Sequence, residues 1–238
     1  MFDNYLQEIR VQVNSQELRK RSRSFYCGER QNWPKAENRM VFNTDTAIEL
    51  GHPQTESLAF LIWTESPEKI NDQQITIIGP ELNEAGANKI PWGKLVLISG
   101  HGFNEENAYQ RYQEMDMVRF QLNLEGYMLR ALPQDNKEWS RVSRGALQSG
   151  FSLRLLGNEL IRELKRLEYV DAVEITFITS SESDIQRFKP IAEKVTKAYR
   201  AMNKMFANLE YDCRDCDFSD VCNEIDGLRT MHKKNRDS

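Results

Sequence analysis

Four cysteines have the residue type and the spacing that could hold a metal. Cys213, Cys216 and Cys222 form a C-x2-C-x5-C segment, and Cys27 stands alone, far upstream. A C-x2-C step lets one tight loop direct two thiolates at one metal centre, and the next five residues bring round a third. Cys27 would close the site from a distance, and Gly28 permits a close approach of the backbone. The pattern predicts a metal centre bound by four thiolates.

The three-plus-one division of these cysteines favours iron–sulfur over zinc. Structural zinc sites usually take two ligand pairs from two knuckles, whereas a cubane has four separated iron corners and accepts one distant cysteine. Phe218 and Val221 could shield such a cluster from water. We therefore expect a [4Fe-4S] cluster. Zinc, a cluster with three protein ligands and no metal remain alternatives.

Basic residues cluster in sequence around Cys27. They form a solvated connector, or else they offset the charge of an anionic metal centre. The residues are Arg19, Lys20, Arg21, Arg23 and Arg30.

The three histidines are His52, His101 and His232, and none has a second catalytic or metal-binding residue at the spacing of a known motif. No hydrolase, phosphate-loop or zinc-protease motif is present.

The bulk composition is that of a globular chain. The 238 residues include 39% hydrophobic and 29% charged residues, with a formal net charge of −4. This mild acidity gives no overall attraction to nucleic acid or anionic lipid. The sequence has no apolar run long enough for a transmembrane helix and no secretory start. We therefore expect a cytoplasmic protein without a membrane or nucleic-acid partner, whose thiols stay reduced.

Apolar periodicity predicts an α/β fold with the cysteines near its two ends. Residues 3–20 have the spacing of an amphipathic helix, whereas residues 21–40 lack periodicity and indicate a loop. Short apolar runs bounded by Gly and Pro predict strands. These runs are 58–63, 75–78, 94–98 and 173–178.

Helices are predicted between and after these strands, over 104–117, 140–148, 152–167 and a long segment that begins near Pro190. Residues 120–124 alternate like a half-buried strand. A core-facing helical stripe is formed by Leu153, Leu156, Leu160, Leu164 and Leu167. We expect a mixed sheet flanked by helices, with an N-terminal helix and a C-terminal cysteine-rich tail.

Six collinear stretches carry a resemblance to a known family. They are 47–55, 75–82, 90–96, 139–146, 150–157 and 173–179. In this order and spacing they resemble the middle region of the beta subunit of acetyl-CoA synthase, the partner of carbon monoxide dehydrogenase. Three segments are expected: an N-terminal helix and loop (1–40), an α/β domain resembling that middle region (41–210) and a metal-binding tail (211–238).

The resemblance assigns roles to the tail cysteines. It implies that Cys213 and Cys222 match cluster-binding cysteines and that Cys216 matches a nickel-binding one. The sequence departs from the family here, because it has neither the fourth cluster cysteine nor the Cys-Gly-Cys nickel ligands. We expect that this chain cannot build the nickel pair or synthesise acetyl-CoA alone, and that Cys27 replaces the missing cluster ligand.

The resemblance also implies candidates for anion binding. The family's middle region is associated with coenzyme A, so Arg130, Arg141, Arg144 and Arg154 are candidates for phosphate contacts. The alternative is that these arginines form surface salt bridges.

Several functions follow as hypotheses. The first is an iron–sulfur accessory, electron-transfer or docking protein of corrinoid and one-carbon metabolism, with a corrinoid protein or a carbon monoxide dehydrogenase-like enzyme as partner. The second is an iron–sulfur enzyme acting on a coenzyme A thioester or a small acyl substrate. The cysteine pattern is also similar to the iron–sulfur staple of RecB-type nucleases, although no Glu-x-Lys strand motif accompanies it. A purely structural metal staple is the remaining alternative.

Overall fold

The structure, a computed structural model, describes residues 2–28, 32–37, 40–41, 46–131, 136–206 and 221, with the backbone alone at 131 and 204–206. The strands are β1 (Ser22–Tyr26), β2 (Ala47–Leu50), β3 (Ser57–Thr64), β4 (Gln74–Ile78), β5 (Lys89–Ile90), β6 (Trp92–Gly100), β7 (Tyr127–Ala131), β8 (Trp139–Ser143) and β9 (Val170–Ile178). The α-helices are α1 (Asp3–Val13), α2 (Gln16–Arg19), α3 (Ala108–Gln121), α4 (Arg144–Gln148), α5 (Leu153–Leu164), α6 (Glu182–Gln186) and α7 (Lys189–Phe206).

The larger sheet has five strands in the order β1-β4-β9-β6-β3. β3 runs parallel to β6 and β4 parallel to β9, whereas β1 is antiparallel to β4 and β6 to β9. Every residue of β3 and β6 is buried, as expected for apolar strands that are covered on both faces. The predicted mixed sheet flanked by helices, with an N-terminal helix, is confirmed. The cysteine-rich tail lies outside the described residues, except for Val221.

The smaller sheet has four strands in the order β5-β2-β8-β7. Its strand β8 corrects the predicted helix over 140–148, because the helical part begins only at Arg144. Ser143 caps that helix, since its hydroxyl accepts a hydrogen bond from the N–H of Ala146 at 3.1 Å. Trp139–Ser143 pairs on one side with β2 and on the other with β7, and this non-local pairing outweighs the local helical spacing.

The helices predicted over 152–167 and from near Pro190 are confirmed as α5 and α7. In α5, Leu153, Leu156, Leu160 and Leu164 are buried, and Leu167 is half-buried beyond the end of the helix. This helix packs on β9 and β4, and α7 packs on β3.

Three other local predictions were wrong in part. The helix over 3–20 is divided into α1 and α2, and the loop over 21–40 contains β1, which pairs with β4 at an edge of the larger sheet. Residues 120–124 are not a strand, because residues 120 and 121 form the last turn of α3.

The domain boundaries at 40 and 210 remain predictions. In the described part of the chain, no helix is long and apolar enough to cross a membrane.

Candidate functional site

Cys27 follows β1 directly and is held by the backbone. Its N–H donates a hydrogen bond to the carbonyl oxygen of Gln73 at 2.7 Å. The thiol side chain is half-buried against the hydrophobic core. The other predicted ligands, Cys213, Cys216 and Cys222, lie outside the described residues. Whether Cys27 meets them therefore remains a prediction.

The charges around Cys27 come from α5. Arg162 donates a hydrogen bond to the carbonyl oxygen of Gly28 at 2.9 Å, and an Arg154 nitrogen lies 3.5 Å from where a Cβ on Gly28 would stand. Lys165 also acts electrostatically on the thiol. Two cationic side chains, Arg162 in α5 and Lys165 just after it, thus act on the thiol of the residue that was predicted to bind an anionic cluster, and Arg154 lies beside the next residue, Gly28.

Two carboxylates partly neutralise these positive charges. Glu159 forms an ion pair with Arg162 at 2.5 Å, and Asp72 forms one with Lys165 at 2.7 Å. Two of the basic residues that are near Cys27 in sequence pair with other carboxylates: Arg23 with Glu84 and Arg21 with Asp184. The sequence pattern did not indicate Arg162 and Lys165, the cations that act on the thiol.

Burial raises the pKa of the Cys27 thiol above its usual value, and the nearby charge of Arg162 opposes this shift. Without a metal, the side chain is a thiol at neutral pH. Metal binding needs the thiolate, so binding must release the proton.

The described residues contain no group of three or more His, Cys, Asp or Glu side chains that could hold a metal ion. Val221, which precedes Cys222 in sequence, is described and only 1% exposed, within the hydrophobic core.

The four candidate arginines divide between two places, and Arg141 is the least accessible of them. It lies on β8 with 4% exposure, and its Nε donates to Glu49 Oε1 at 2.7 Å while another guanidinium nitrogen donates to the carbonyl oxygen of Val41 at 3.1 Å. Glu49 is also buried. This placement favours an internal role for Arg141 over a phosphate contact.

Arg130 lies in an arginine–tryptophan cluster with Trp139, His52, Glu49 and Arg141. The Arg130 guanidinium carbon lies 4.7 Å from the centroid of the Trp139 ring. His52 packs edge-on against the same ring, with centroids 5.1 Å apart, and its Nε2 lies 3.4 Å from Glu49 Oε2. Because Arg130 is exposed, this cluster could bind a ligand with a flat or anionic group.

Arg144 is exposed at the start of α4 and donates a hydrogen bond to the side-chain amide oxygen of Asn88. The backbone carbonyl oxygen of Asn88 accepts a hydrogen bond from the N–H of Glu49 at 2.7 Å. The smaller sheet thus brings Arg144 close to the arginine–tryptophan cluster, whereas Arg154 lies beside Gly28. Sequence analysis found no partner for His52. Its position three residues after Glu49 was the available signal.

A buried ionic cluster was not predicted at all. Lys94 of β6 donates a hydrogen bond to Glu138, and Trp92 Nε1 donates to Glu138 Oε1 at 3.1 Å. Arg119 of α3 lies 3.6 Å from Glu138 Oε2 and pairs with Asp116 at 2.6 Å. Burial alone would raise the pKa of Glu138, but Lys94 and Arg119 together hold it below its usual value. These residues are far apart in sequence, so spacing gave no sign of the cluster.

Comparison with known proteins identifies relatives of the described domain. At residues 32–184 the chain matches the model of the family described as CO dehydrogenase/acetyl-CoA synthase complex beta subunit. It is 29% identical over 168 residues to the beta subunit of the acetyl-CoA decarbonylase/synthase complex of Methanopyrus kandleri. The aligned region covers 69% of this chain and 34% of that protein.

Two other relatives align over a similar part of the chain. The alpha subunit of carbon monoxide dehydrogenase/acetyl-CoA synthase of Moorella thermoacetica is 29% identical over 170 residues, 69% of this chain and 22% of that protein. Subunit beta 1 of the Methanosarcina thermophila complex is 26% identical over 175 residues, 72% of this chain and 36% of that protein. This chain thus matches about a third or less of each relative's length. Because the family match covers more than half of this chain, the chain belongs to the CO dehydrogenase/acetyl-CoA synthase complex beta subunit family.

Proposed function

We propose that this chain is an iron–sulfur member of its family that acts as an accessory, electron-transfer or docking protein in corrinoid-dependent one-carbon metabolism, rather than as a complete synthase. The observation that carries the proposal is the position of Cys27, which is half-buried and feels the charges of Arg162 and Lys165, with Arg154 beside the next residue, Gly28. A cluster bound by four thiolates carries net negative charge, and nearby cations stabilise that charge and raise the reduction potential.

The proposed ligands are Cys27, Cys213, Cys216 and Cys222. Burial of Val221 supports this assignment, because it keeps the residue before Cys222 in the hydrophobic core. The bound cluster would supply one-electron redox chemistry. The chain's own contribution would be to hold Cys27 through Gln73 and to set the surrounding charge through α5.

The proposed partner is another protein of the same metabolism. The names of the three relatives describe subunits of carbon monoxide dehydrogenase or acetyl-CoA decarbonylase/synthase complexes. This supports a chain that docks on a corrinoid protein or on a carbon monoxide dehydrogenase-like enzyme and exchanges electrons with it.

The proposal is tested by mixing the anaerobically purified chain with a purified carbon monoxide dehydrogenase and CO. We expect the visible absorption of the cluster to bleach as it is reduced, and we expect the two proteins to bind each other. The Cys27→Ser variant should lose the bleaching. The absence both of binding and of reduction, with this enzyme and with a purified corrinoid protein, would count decisively against the accessory role.

A second candidate function is supported by the arginine–tryptophan cluster. Arg130 and Arg144 are exposed, and Trp139 and His52 supply flat rings beside them. These groups suit a ligand that carries phosphates and an aromatic base, as coenzyme A does.

Thermal unfolding with and without coenzyme A tests this second function. A bound ligand should raise the melting temperature, and Arg130→Gln and Arg144→Gln should each reduce the shift. Arg166→Gln is the matched control, because Arg166 is exposed and pairs with Glu163, which is not part of the arginine–tryptophan cluster. No shift at high coenzyme A concentration would remove this candidate.

A further inference from the structure

We propose that a cavity between α3 and α7 binds a small aromatic carboxylate. The cavity has a volume of about 290 Å³ and lies against β3. It shares no lining residue with the arginine–tryptophan cluster, and Cys27 does not line it. The proposal therefore does not rest on the proposed cluster or on coenzyme A binding.

Aromatic rings form one wall of the cavity. Tyr112 of α3 stacks on Tyr199 of α7, with centroids 3.5 Å apart and planes 13° from parallel. The Tyr199 hydroxyl donates a hydrogen bond to the carbonyl oxygen of Leu61 at 2.5 Å, which fixes the ring. Tyr109 lies next to Tyr112, with centroids 6.1 Å apart. A flat apolar body can pack against these rings.

The charged side chains that line the cavity are mainly cationic. Arg119, Lys137 and Arg200 lie there with one carboxylate, that of Asp116. The ionic cluster holds Arg119 in place, through Asp116 at 2.6 Å and Glu138 at 3.6 Å. Lys137 is exposed at the rim, and its ammonium forms no ion pair with any carboxylate of the described residues. An anionic group is therefore favoured over a neutral or cationic one.

A neutral donor complements these cations. The Tyr112 hydroxyl forms no hydrogen bond within the described part of the chain, and burial raises the pKa of Tyr112. The hydroxyl thus keeps its proton and can donate it to an acceptor. The Lys137 ammonium and the Tyr112 hydroxyl can each donate a hydrogen bond to one of the two oxygens of a carboxylate.

The size of the cavity agrees with a small ligand. Its volume is that of about ten water molecules at roughly 30 Å³ each. A single substituted ring fills such a space, and Ala59, Phe60 and Leu61 supply apolar contacts on the β3 side.

The probe is benzoate, titrated into the full anaerobically purified chain by calorimetry, with benzamide as its neutral isostere and phenyl phosphate as the alternative anion. We expect benzoate to bind with a dissociation constant of roughly 1 mM or below, and benzamide and phenyl phosphate to bind more weakly. Lys137→Gln should weaken benzoate binding roughly fivefold. Tyr112→Leu should also weaken it, provided that its melting temperature shows a folded protein.

Two controls make the test specific. Lys20→Gln removes an exposed lysine outside the cavity and should leave benzoate binding unchanged, and so should Arg144→Gln beside the arginine–tryptophan cluster. The proposal is overturned if benzoate does not bind at millimolar concentration, if benzamide binds equally well, or if Arg144→Gln weakens benzoate binding and Lys137→Gln does not. Tighter binding of phenyl phosphate would overturn the carboxylate assignment.

Discussion

At the scale of single residues, Cys27 is controlled by its neighbours on α5 and by burial. Burial favours the thiol, Arg162 and Lys165 favour the thiolate, and Glu159 and Asp72 oppose the thiolate. The balance raises the pKa of Cys27 above the usual 9.0. If Cys27 binds a metal as we propose, loss of its proton would be a distinct step, and this step would depend on charges that can be changed one at a time.

This balance predicts the pH dependence of Cys27 reactivity. In a metal-free chain whose other three cysteines are Ser, the midpoint of the alkylation rate against pH should lie above 9.0. Arg162→Gln should raise the midpoint further, because a cation is lost, and Glu159→Gln should lower it. Since the folded pKa is raised, the thiol also stabilises the fold at lower pH, and this contribution is lost as pH rises through that pKa. A midpoint below 9.0 in the parent chain would contradict this account.

The buried ionic cluster leads to a second prediction at this scale. Glu138→Gln removes the charge that faces Lys94 and Arg119, and leaves Lys94 buried with an unpaired charge. We expect the free energy of unfolding to fall by about 3–5 kcal/mol in urea titrations. The double variant Glu138→Gln, Lys94→Met should recover much of this loss. An equal or greater loss in the double variant would show that the pair does not act as a unit.

At the scale of elements, α5 connects the sheet to Cys27. Its leucine stripe packs on β9 and β4, and its Arg154 and Arg162 lie beside Gly28. Gly157 permits this close packing, because a Cβ there would lie 2.9 Å from Cδ1 of Ile75. The distance between α5 and the strands therefore depends on one glycine.

Gly157→Ala tests that packing. We expect the free energy of unfolding to fall by about 1–2 kcal/mol, because overpacking outweighs the better helix propensity of Ala. Adding Ile75→Val removes the nearest methyl group and should restore part of the loss. Gly145→Ala in α4 is the matched control: nothing lies within 4 Å of its new Cβ, so it should be neutral or slightly stabilising. Equal effects of the two alanines in urea unfolding would exclude the close-packing explanation.

Local patterns predicted the elements that local interactions determine. The stripe from Leu153 to Leu164 has helical periodicity and is confirmed. It could be predicted because the spacing of residues within one helix determines which of them share its buried face. β8 was missed because its register depends on Ala47–Leu50, some ninety residues away in sequence. Long-range pairing of this kind cannot be inferred from the spacing of one chain segment.

The same reason limited the prediction of the site. Arg130 and Arg141 are both arginines, but only Arg141 of the two is buried, where it donates hydrogen bonds to Glu49 and to the carbonyl oxygen of Val41. The sequence indicated Cys27 through its type, and the family through six collinear stretches. It gave no sign of the cations on α5, which reach Cys27 only when α5 packs on β4.

At the scale of the whole molecule, we propose that one metal centre joins the N-terminal and C-terminal parts of the chain. β1 brings Cys27 to the edge of the larger sheet, and Val221 is packed in the core. A cluster bound by Cys27 and by the three tail cysteines would connect these parts and couple the stability of both to the metal.

The most direct test is the iron, sulfide, zinc and nickel content of the anaerobically purified chain, with visible and EPR spectra, for the parent and for Cys27→Ser. We predict about four irons and four sulfides per chain in the parent, and loss or conversion of the cluster in Cys27→Ser. Zinc alone in the parent, or an iron content and EPR spectrum unchanged by Cys27→Ser, would contradict the four-cysteine site.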